Sequence, residues 1–582
     1  MRALTIFLAA ILSGCGNSGS SGSSSVPGVE IDVPAPPVAI EATTTISASR
    51  TSGVAPLAVY FSATTDPGLF LSGEYHWDFG DPNSGIWIVS GRSKNTETGP
   101  TAGHVYETPG SYVVTLTSGQ SVSTSAITVS DPDVIFTGTA TRCFSKVGNF
   151  SGAPAGAQLI TTGSLSVVAS NIASGRRLLL HRGETWSAFA SLTINVAGPG
   201  TLGAYGSGNA PKILLTGNQD FLVPSGSTPR LNDWRFMDWD IDGNNGSKSR
   251  GLRANGTCNQ VLLLRLSARN VHGGFVFATS QLELSNPPQV LYDQIAIVDC
   301  VVNKLVPGLG GYGSMFAGTN ALFLGNQYDL QGGGEHVLRA QLIQGGVFSH
   351  CDLANPSASK SVVKLHGPPF SSGVWAGRST EKVSLQHNIF RGGLASWTVV
   401  TGPEDDHTDQ RVRTVLIEGN HFIAGPQQQV AAFLSCNGLV ARNNLVNMTG
   451  GLNATAFWAS RRGIEPIPSN IWFFHNTAYT NDPDRFTVVL VSSATGTIVS
   501  ANLGSAPMGI SPSIVSGSVT VSDNMLNPIP SFISLTPSLP ADFNLANGSP
   551  ALDAATPIPE VWDDYFGTAR LNIQDDIGAF ER

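Results

Sequence analysis

The stretch Val383-Ser384-Leu385-Gln386-His387-Asn388-Ile389-Phe390 decides how most of this chain is read. About four residues alternate apolar and variable, a polar Asn follows, and two apolar residues close the phrase. It returns as Val415-Leu416-Ile417-Glu418-Gly419-Asn420-His421-Phe422, as Ile471-Trp472-Phe473-Phe474-His475-Asn476 and as Val519-Thr520-Val521-Ser522-Asp523-Asn524. Aligned on the phrase, the Asn position is filled by Asp240, Asn270, Cys300, Asn326, Cys351, Asn388, Asn420, Asn444, Asn476, Asn502 and Asn524. A short strand and a polar turn residue recurring every 20 to 40 residues are the mark of a solenoid, in which each coil buries its apolar side chains only against its neighbours. Asn suits the bend because it tolerates left-handed geometry and its amide can bond to the coils above and below. The expected fold is a right-handed parallel β-helix over residues 145–582. Its ten steps, at ~4.8 Å per strand, make a rod of about 48 Å.

The composition agrees with this. Charged residues are 13% of the 582, Gly reaches 65, and 41% are hydrophobic, which argues against coiled coils, charged helical bundles and long disorder. A net charge of -9 offers no basic excess for nucleic acid. No G-x-S-x-G, H-E-x-x-H or P-loop occurs, against serine esterase, zincin and nucleotide chemistry. The expected state is a monomer.

The amino terminus reads as an address. Met1 and Arg2 precede the apolar run Ala3 to Leu12, which has signal-peptide length and is too short to span a bilayer. The run ends in Leu12-Ser13-Gly14-Cys15, which resembles the lipobox of bacterial lipoproteins. That resemblance implies a signal peptide over 1–14, lipid on Cys15 and anchoring in the bacterial cell envelope, at the outer membrane or cell surface. A Gly/Ser- and Pro-rich tether follows over 15–37. Without Cys15 the remaining cysteines, Cys143, Cys258, Cys300, Cys351 and Cys436, are odd in number and cannot all pair. Cys300 and Cys351, two coils apart, are too distant for a disulfide and read as buried fillers.

Residues 38–132 alternate with period two between turn residues, the pattern of a β-sandwich. Gly53-Val54-Ala55-Pro56-Leu57, Tyr75-His76-Trp77-Asp78-Phe79-Gly80-Asp81 and His104-Val105-Tyr106-Glu107-Thr108-Pro109-Gly110 resemble the PKD domain, an immunoglobulin-like sandwich. Trp77 and Phe79 belong in its core, with Asp78 at the turn. The resemblance implies a spacer, or a module that contacts protein or carbohydrate. Further on, His181-Arg182-Gly183-Glu184-Thr185-Trp186 and the tail Asp576-Ile577-Gly578-Ala579-Phe580-Glu581 resemble the opening and closing segments of the pectate-lyase superfamily, which implies the β-helix a second time.

Chemistry is sought where insertions are longest, after Cys351. Alternation in Val362-Val363-Lys364-Leu365-His366 turns Lys364 and His366 outward. One coil earlier, Glu335 and Arg339 face out if Leu338 is core; at four strand residues apart they are about 13 Å from each other and need other partners. Gly332-Gly333-Gly334 lets a chain approach closely, as a polysaccharide in a groove would. An acidic insertion, Glu404-Asp405-Asp406-His407-Thr408-Asp409, follows one coil later. Lyases on acidic polysaccharides need a cation against the uronate carboxylate and a base for the C5 proton. Lys364, His366 and Arg339 are the candidate catalytic set; Glu335, Arg339, Trp375 and Arg378 are the candidate substrate contacts; Glu335, Asp405 and Asp406 are the candidate Ca²⁺ ligands. The arrangement resembles alginate-lyase and chondroitinase-like β-helices, which implies a polysaccharide lyase. A non-catalytic adhesion rod and a β-helix glycoside hydrolase remain as alternatives, since surface ion pairs need no function and hydrolysis would need two close carboxylates. Asp240-Ile241-Asp242-Gly243-Asn244-Asn245 reads as a turn rather than a Ca²⁺ loop, because the spaced terminal Glu is missing.

Overall fold

The computed structural model describes residues 44–582 apart from 278–291, 308–310, 368–377, 395–396, 403–410, 453–454, 464–465, 483–485, 506–509, 513–518, 527–531 and 571–572. Cys15, the leader and the tether therefore lie outside the described residues. Among those described, no helix is long and apolar enough to cross a membrane.

Residues 44–130 form two antiparallel sheets. Thr45–Ala48, Leu57–Thr64 and Thr101–Tyr106 make the smaller one; Ser52–Val54, Ser121–Ser130, Gly110–Ser118, His76–Asp78 and Thr96–Thr98 make the larger, with Ser52–Val54 joined in parallel at its edge. Alternation places Trp77 and Phe79 inside, next to Phe61. Asp78 faces out and accepts from the Gly80 N–H at 2.8 Å. Gly80 has φ +70, and a Cβ there would sit 2.6 Å from the Val113 carbonyl, so the turn needs glycine.

The β-helix begins at strand Thr141–Ser145, slightly before the expected residue 145, and is capped by the short helix Leu165–Ala169, whose Leu165 and Val168 close the first coil. Each coil carries three strands, all pairing in parallel with the next coil. The third sheet has thirteen strands, from Thr185–Ala188 to Met525–Leu526, so its twelve steps make a rod of about 58 Å, longer than the phrase count implied. The early coils lack the Asn and so escaped the pattern.

The strand register also corrects the ladder. Asp240 pairs with Ser267, and Ser267 with Val301, so the residues aligned with Cys300 are Trp239 and Leu266, not Asp240 and Asn270. Nor does Asn supply the left-handed bend. That conformation belongs to the preceding residue, as in Asp299 (φ 51), His350 (φ 59), His387 (φ 54), Asn443 (φ 53) and His475 (φ 49). Asn does the bonding: the Asn444 side-chain oxygen accepts from both the backbone N–H and the amide of Asn420 at 3.0 Å, while its own amide donates to the Ile417 carbonyl at 2.9 Å. Cys351 stands in the same file and accepts from the Asn326 N–H at 3.3 Å. All five described cysteines are buried and unpaired. Asn444→Ala strands two donors and a carbonyl and is expected to cost about 2–4 kcal/mol. Asn444→Cys, which keeps a weak acceptor, is expected to cost visibly less; denaturant midpoints compare them.

The sandwich does not stand off as a spacer. Coil strands of the second sheet are apolar on both alternations, as in Val261-Leu262-Leu263-Leu264 and Ala321-Leu322-Phe323-Leu324, a pattern that requires burial on both faces. Leu262, Leu264, Val298, Leu322 and Leu324 pack outward against Tyr60, Trp87 and Val105 of the sandwich. Arg235 is buried between the two and donates to the Val54 and Pro56 carbonyls at 2.8 and 2.9 Å. Gly325 (φ +66) is needed there as well, since a Cβ would press 2.7 Å from the Trp87 ring. The sandwich thus covers the second sheet and leaves uncovered the first, which includes strands Val363–His366 and Trp397–Thr401.

Candidate functional site

Strand Leu338–Ser349 opens the coil before Val363–His366, with Leu338 paired to Val363, Arg339 to Lys364 and Gln341 to His366. Leu338, Ala340, Val363 and Leu365 are fully buried in the core, which turns Arg339, Lys364 and His366 to the outer face, as alternation predicts. Arg339 Nε donates to His366 Nε2 at 2.9 Å, and its Nη1 donates to the Tyr312 hydroxyl at 2.8 Å. The guanidinium lies 5.6 Å from the Tyr312 ring centre. Because His366 Nε2 accepts, its ring proton is on Nδ1.

Glu335 was expected to be remote from Arg339. The chain between them is not one straight strand, because the strand starts only at Leu338, and both residues hydrogen bond to Tyr312. Lys360 sits 3.4 Å from the Glu335 carboxylate. The glycines before Glu335 serve the protein's own packing, not a ligand: a Cβ at Gly333 would lie 2.0 Å from the Leu305 carbonyl, and one at Gly334 2.3 Å from the Gly311 carbonyl.

Two members of this cluster escaped the sequence reading. Tyr312 lies in a Gly-rich link with no periodicity, and His336 falls on the wrong alternation beside Glu335. Their rings are parallel, 4° apart in plane with centres at 6.5 Å. Burial raises the Tyr312 hydroxyl above its ordinary range despite the Arg339 charge, so it stays protonated. His336 accepts from the Ser361 N–H at 3.0 Å. Burial, with the Lys364 charge behind it, pushes His336 down to about 3.

That shift has a measurable sign. The unfolded chain takes up a proton at His336 near the ordinary ~6.5 and the folded chain only near 3, so stability falls as pH falls through that window. Burial drives His421 down to about 4, which adds to the fall. Burial holds Asp563 and Glu581 up at about 7, and these act oppositely between about 4 and 7. His336→Gln is expected to remove one proton from the acid limb, about 1.4 kcal/mol per pH unit, in urea titrations between pH 4.5 and 6.

The same outer face continues toward the carboxyl-terminal coils. Lys364 pairs with Val400, Val400 with Phe433, and Phe433 with Trp458. Trp397 stacks on Phe433 at 4.8 Å, Trp458 meets Phe433 edge-on at 5.2 Å, and the Arg462 guanidinium lies 5.4 Å from the Trp397 ring centre. From Arg339 to Trp458 is four rungs, about 19 Å. This aromatic platform was not anticipated, because Phe433 and Trp458 look like core residues until the register puts them on the outward file with Val400, and Trp397 joins them only by stacking on Phe433.

Other candidates fall elsewhere. Arg378 is exposed and bonds Gln344 at 3.2 Å, five residues further along the strand from Arg339 and past its bend. Trp375, Asp405 and Asp406 lie outside the described residues. Of the three candidate Ca²⁺ ligands only Glu335 is described, and it faces the Lys360 ammonium and the Tyr312 hydroxyl.

Residues 43–130 match the PKD domain family. No curated protein matches the chain. Among solved structures, the A-module of the Azotobacter vinelandii mannuronan C-5 epimerase AlgE6 aligns at 11% identity and TM-score 0.28, covering 60% of this chain and 91% of its own. The catalytic domain of a GH87 α-1,3-glucanase, in complex with nigerose, aligns at 11% identity and TM-score 0.31, covering 83% of this chain and 86% of its own. The chain carries a region matching the PKD domain family, packed along the flank of a parallel β-helix.

Proposed function

We propose that the outer face of the first sheet binds an acidic polysaccharide and cleaves it by β-elimination. The observation that carries this reading is Arg339, which joins His366 and Tyr312 beside Lys364 on the outward side of the first sheet, with Arg339, Tyr312 and Lys364 half-buried and His366 buried. A uronate carboxylate placed between Arg339 and Lys364 has its charge neutralised, which lowers the barrier to removing the C5 proton. Taking Arg339 as its partner, that carboxylate also releases the His366 Nε2 lone pair, which then accepts the C5 proton. The electron pair forms the C4–C5 double bond, the C4–O bond breaks, and the departing oxygen takes the Tyr312 proton. Trp397 and Trp458, half-buried on either side of Phe433, offer ring surface to sugars further along the same face, and these steps use only the protein's own side chains.

Alginate, polygalacturonate and glycosaminoglycans are the test substrates, read by the ultraviolet absorbance of the unsaturated product. A rise with any of them is the expected result; none with any, with or without Ca²⁺, overturns the lyase reading. A second reading, binding without turnover, is favoured by the complete burial of His366, and gives retained affinity with no product. The same proposal places the protein on the bacterial envelope through Cys15. Cys15→Ser is expected to move it from the membrane to the soluble fraction on cell fractionation.

A further inference from the structure

The larger sheet of the sandwich faces a second cleft, remote from the first sheet of the rod. Its strands pair His76 with Thr98 on one side and Thr117 on the other, and Asp78 with Thr96 and Thr115. The outward side chains therefore form two rows, Thr98-His76-Thr117 and Thr96-Asp78-Thr115, a grid of hydrogen-bonding groups on a flat surface. The carboxyl-terminal tail passes opposite this grid and contributes Trp562, Asp563 and Phe566, closing a cleft of about 470 Å³, the size that takes a small ligand.

The tail is pinned rather than loosely laid. Asn443 donates to the Asp563 carbonyl at 2.8 Å, Arg92 to the Tyr565 carbonyl at 2.6 Å, and the Arg442 guanidinium lies 4.0 Å from the Trp562 ring centre. The wall is in place before any ligand arrives, which lowers the ordering cost of binding. Trp562 is half-buried, with its indole N–H shielded from solvent, so it is the accessible part of its ring that a sugar can meet. Phe566 packs on Tyr565 and Phe580 with ring centres at 5.3 Å and is still 52% exposed, so part of its ring remains available to a ligand. The carboxylates that reach the cleft are Glu74 and Asp78, with Arg92 also in the lining and His76 held by Glu74 at 2.8 Å; Glu97 turns away to His350.

We infer that this cleft binds a neutral, hydroxyl-rich saccharide, through the Thr/His/Asp grid on one side and the Trp562 and Phe566 rings on the other. The carboxylates accept sugar hydroxyls and repel a polyuronate, so this site and the cationic face of the first sheet select opposite ligands. The inference does not depend on the lyase reading.

The test is calorimetric titration of the full chain with cellohexaose, xylohexaose, mannohexaose and N-acetylchitohexaose, with an oligoalginate as the anionic control. At least one neutral hexamer is expected to bind. Trp562→Ala, which removes the ring, and Thr117→Lys, which fills the cleft from the sheet surface, are each expected to weaken binding about tenfold; Lys364→Met is expected to leave it unchanged. The inference is overturned if no neutral hexamer binds, if binding survives both cleft variants, or if it is lost with Lys364→Met, which would assign it to the first sheet.

Discussion

Arg442→Met is expected to destabilise the fold by about 3–5 kcal/mol, the range for removing one partner of a buried ion pair. Arg442 and Glu418 meet at 2.5 Å, with side chains 1% and 3% exposed. Glu418 also accepts from Gln386 at 2.9 Å, and Arg442 donates to the Glu560 carbonyl while covering the Trp562 ring. The pair sits where coil, sandwich and tail meet, and Glu97 of the sandwich, 2.8 Å from His350, continues the polar seam. Methionine fills much of the volume but leaves the Glu418 charge without a counterion. Glu418→Gln in the same background removes that charge and keeps an oxygen for Gln386, so the double variant is expected to recover a large part of the loss. Urea denaturation of the four proteins measures this; a single-variant loss below about 1 kcal/mol would mean that water already reaches the pair.

Arg339→Met and Lys364→Met are each expected to lower turnover of the responsive polyuronate by about 10²–10³, the effect of deleting one preorganised charge or proton-transfer partner. Neither side chain is core, so both variants should fold with unchanged denaturation midpoints. Tyr312→Phe is expected to fall by a similar factor in kcat, because its ring packing stays while the proton for the leaving oxygen goes. Trp458→Ala lies three rungs from Lys364 and is expected to raise KM several-fold with little change in kcat, since it contacts remote sugar and not the reacting bond. Weakened binding by all four with no product formed from any polyuronate would favour binding without turnover.

Much of the architecture is legible locally. The phrase around Asn388 repeats because each coil must turn the same corner and bond the same neighbours, and the sandwich announces itself through Trp77, Asp78 and Phe79 at strand and turn positions. The outward placement of Arg339, Lys364 and His366 follows from alternation alone, since their neighbours Leu338, Val363 and Leu365 can only face the core. Alternation fails where strands end. It made Glu335 and Arg339 distant because it assumed a straight strand, and it assigned Gly333 and Gly334 to a ligand when the neighbouring coil fills that space.

What the sequence by itself determined is the kind of each unit: a period of two for the sandwich, a period of one coil for the rod, and the cationic file on the rod's outer face. Only the tertiary structure decided that the sandwich lies along the second sheet, that Tyr312 and His336 join Arg339, and that the tail and sandwich enclose a cleft around Trp562. The physical reason is range. Periodicity records which side of a strand meets its own core, whereas contacts between coils, or between residues 76 and 562, depend on register and docking that no local pattern encodes.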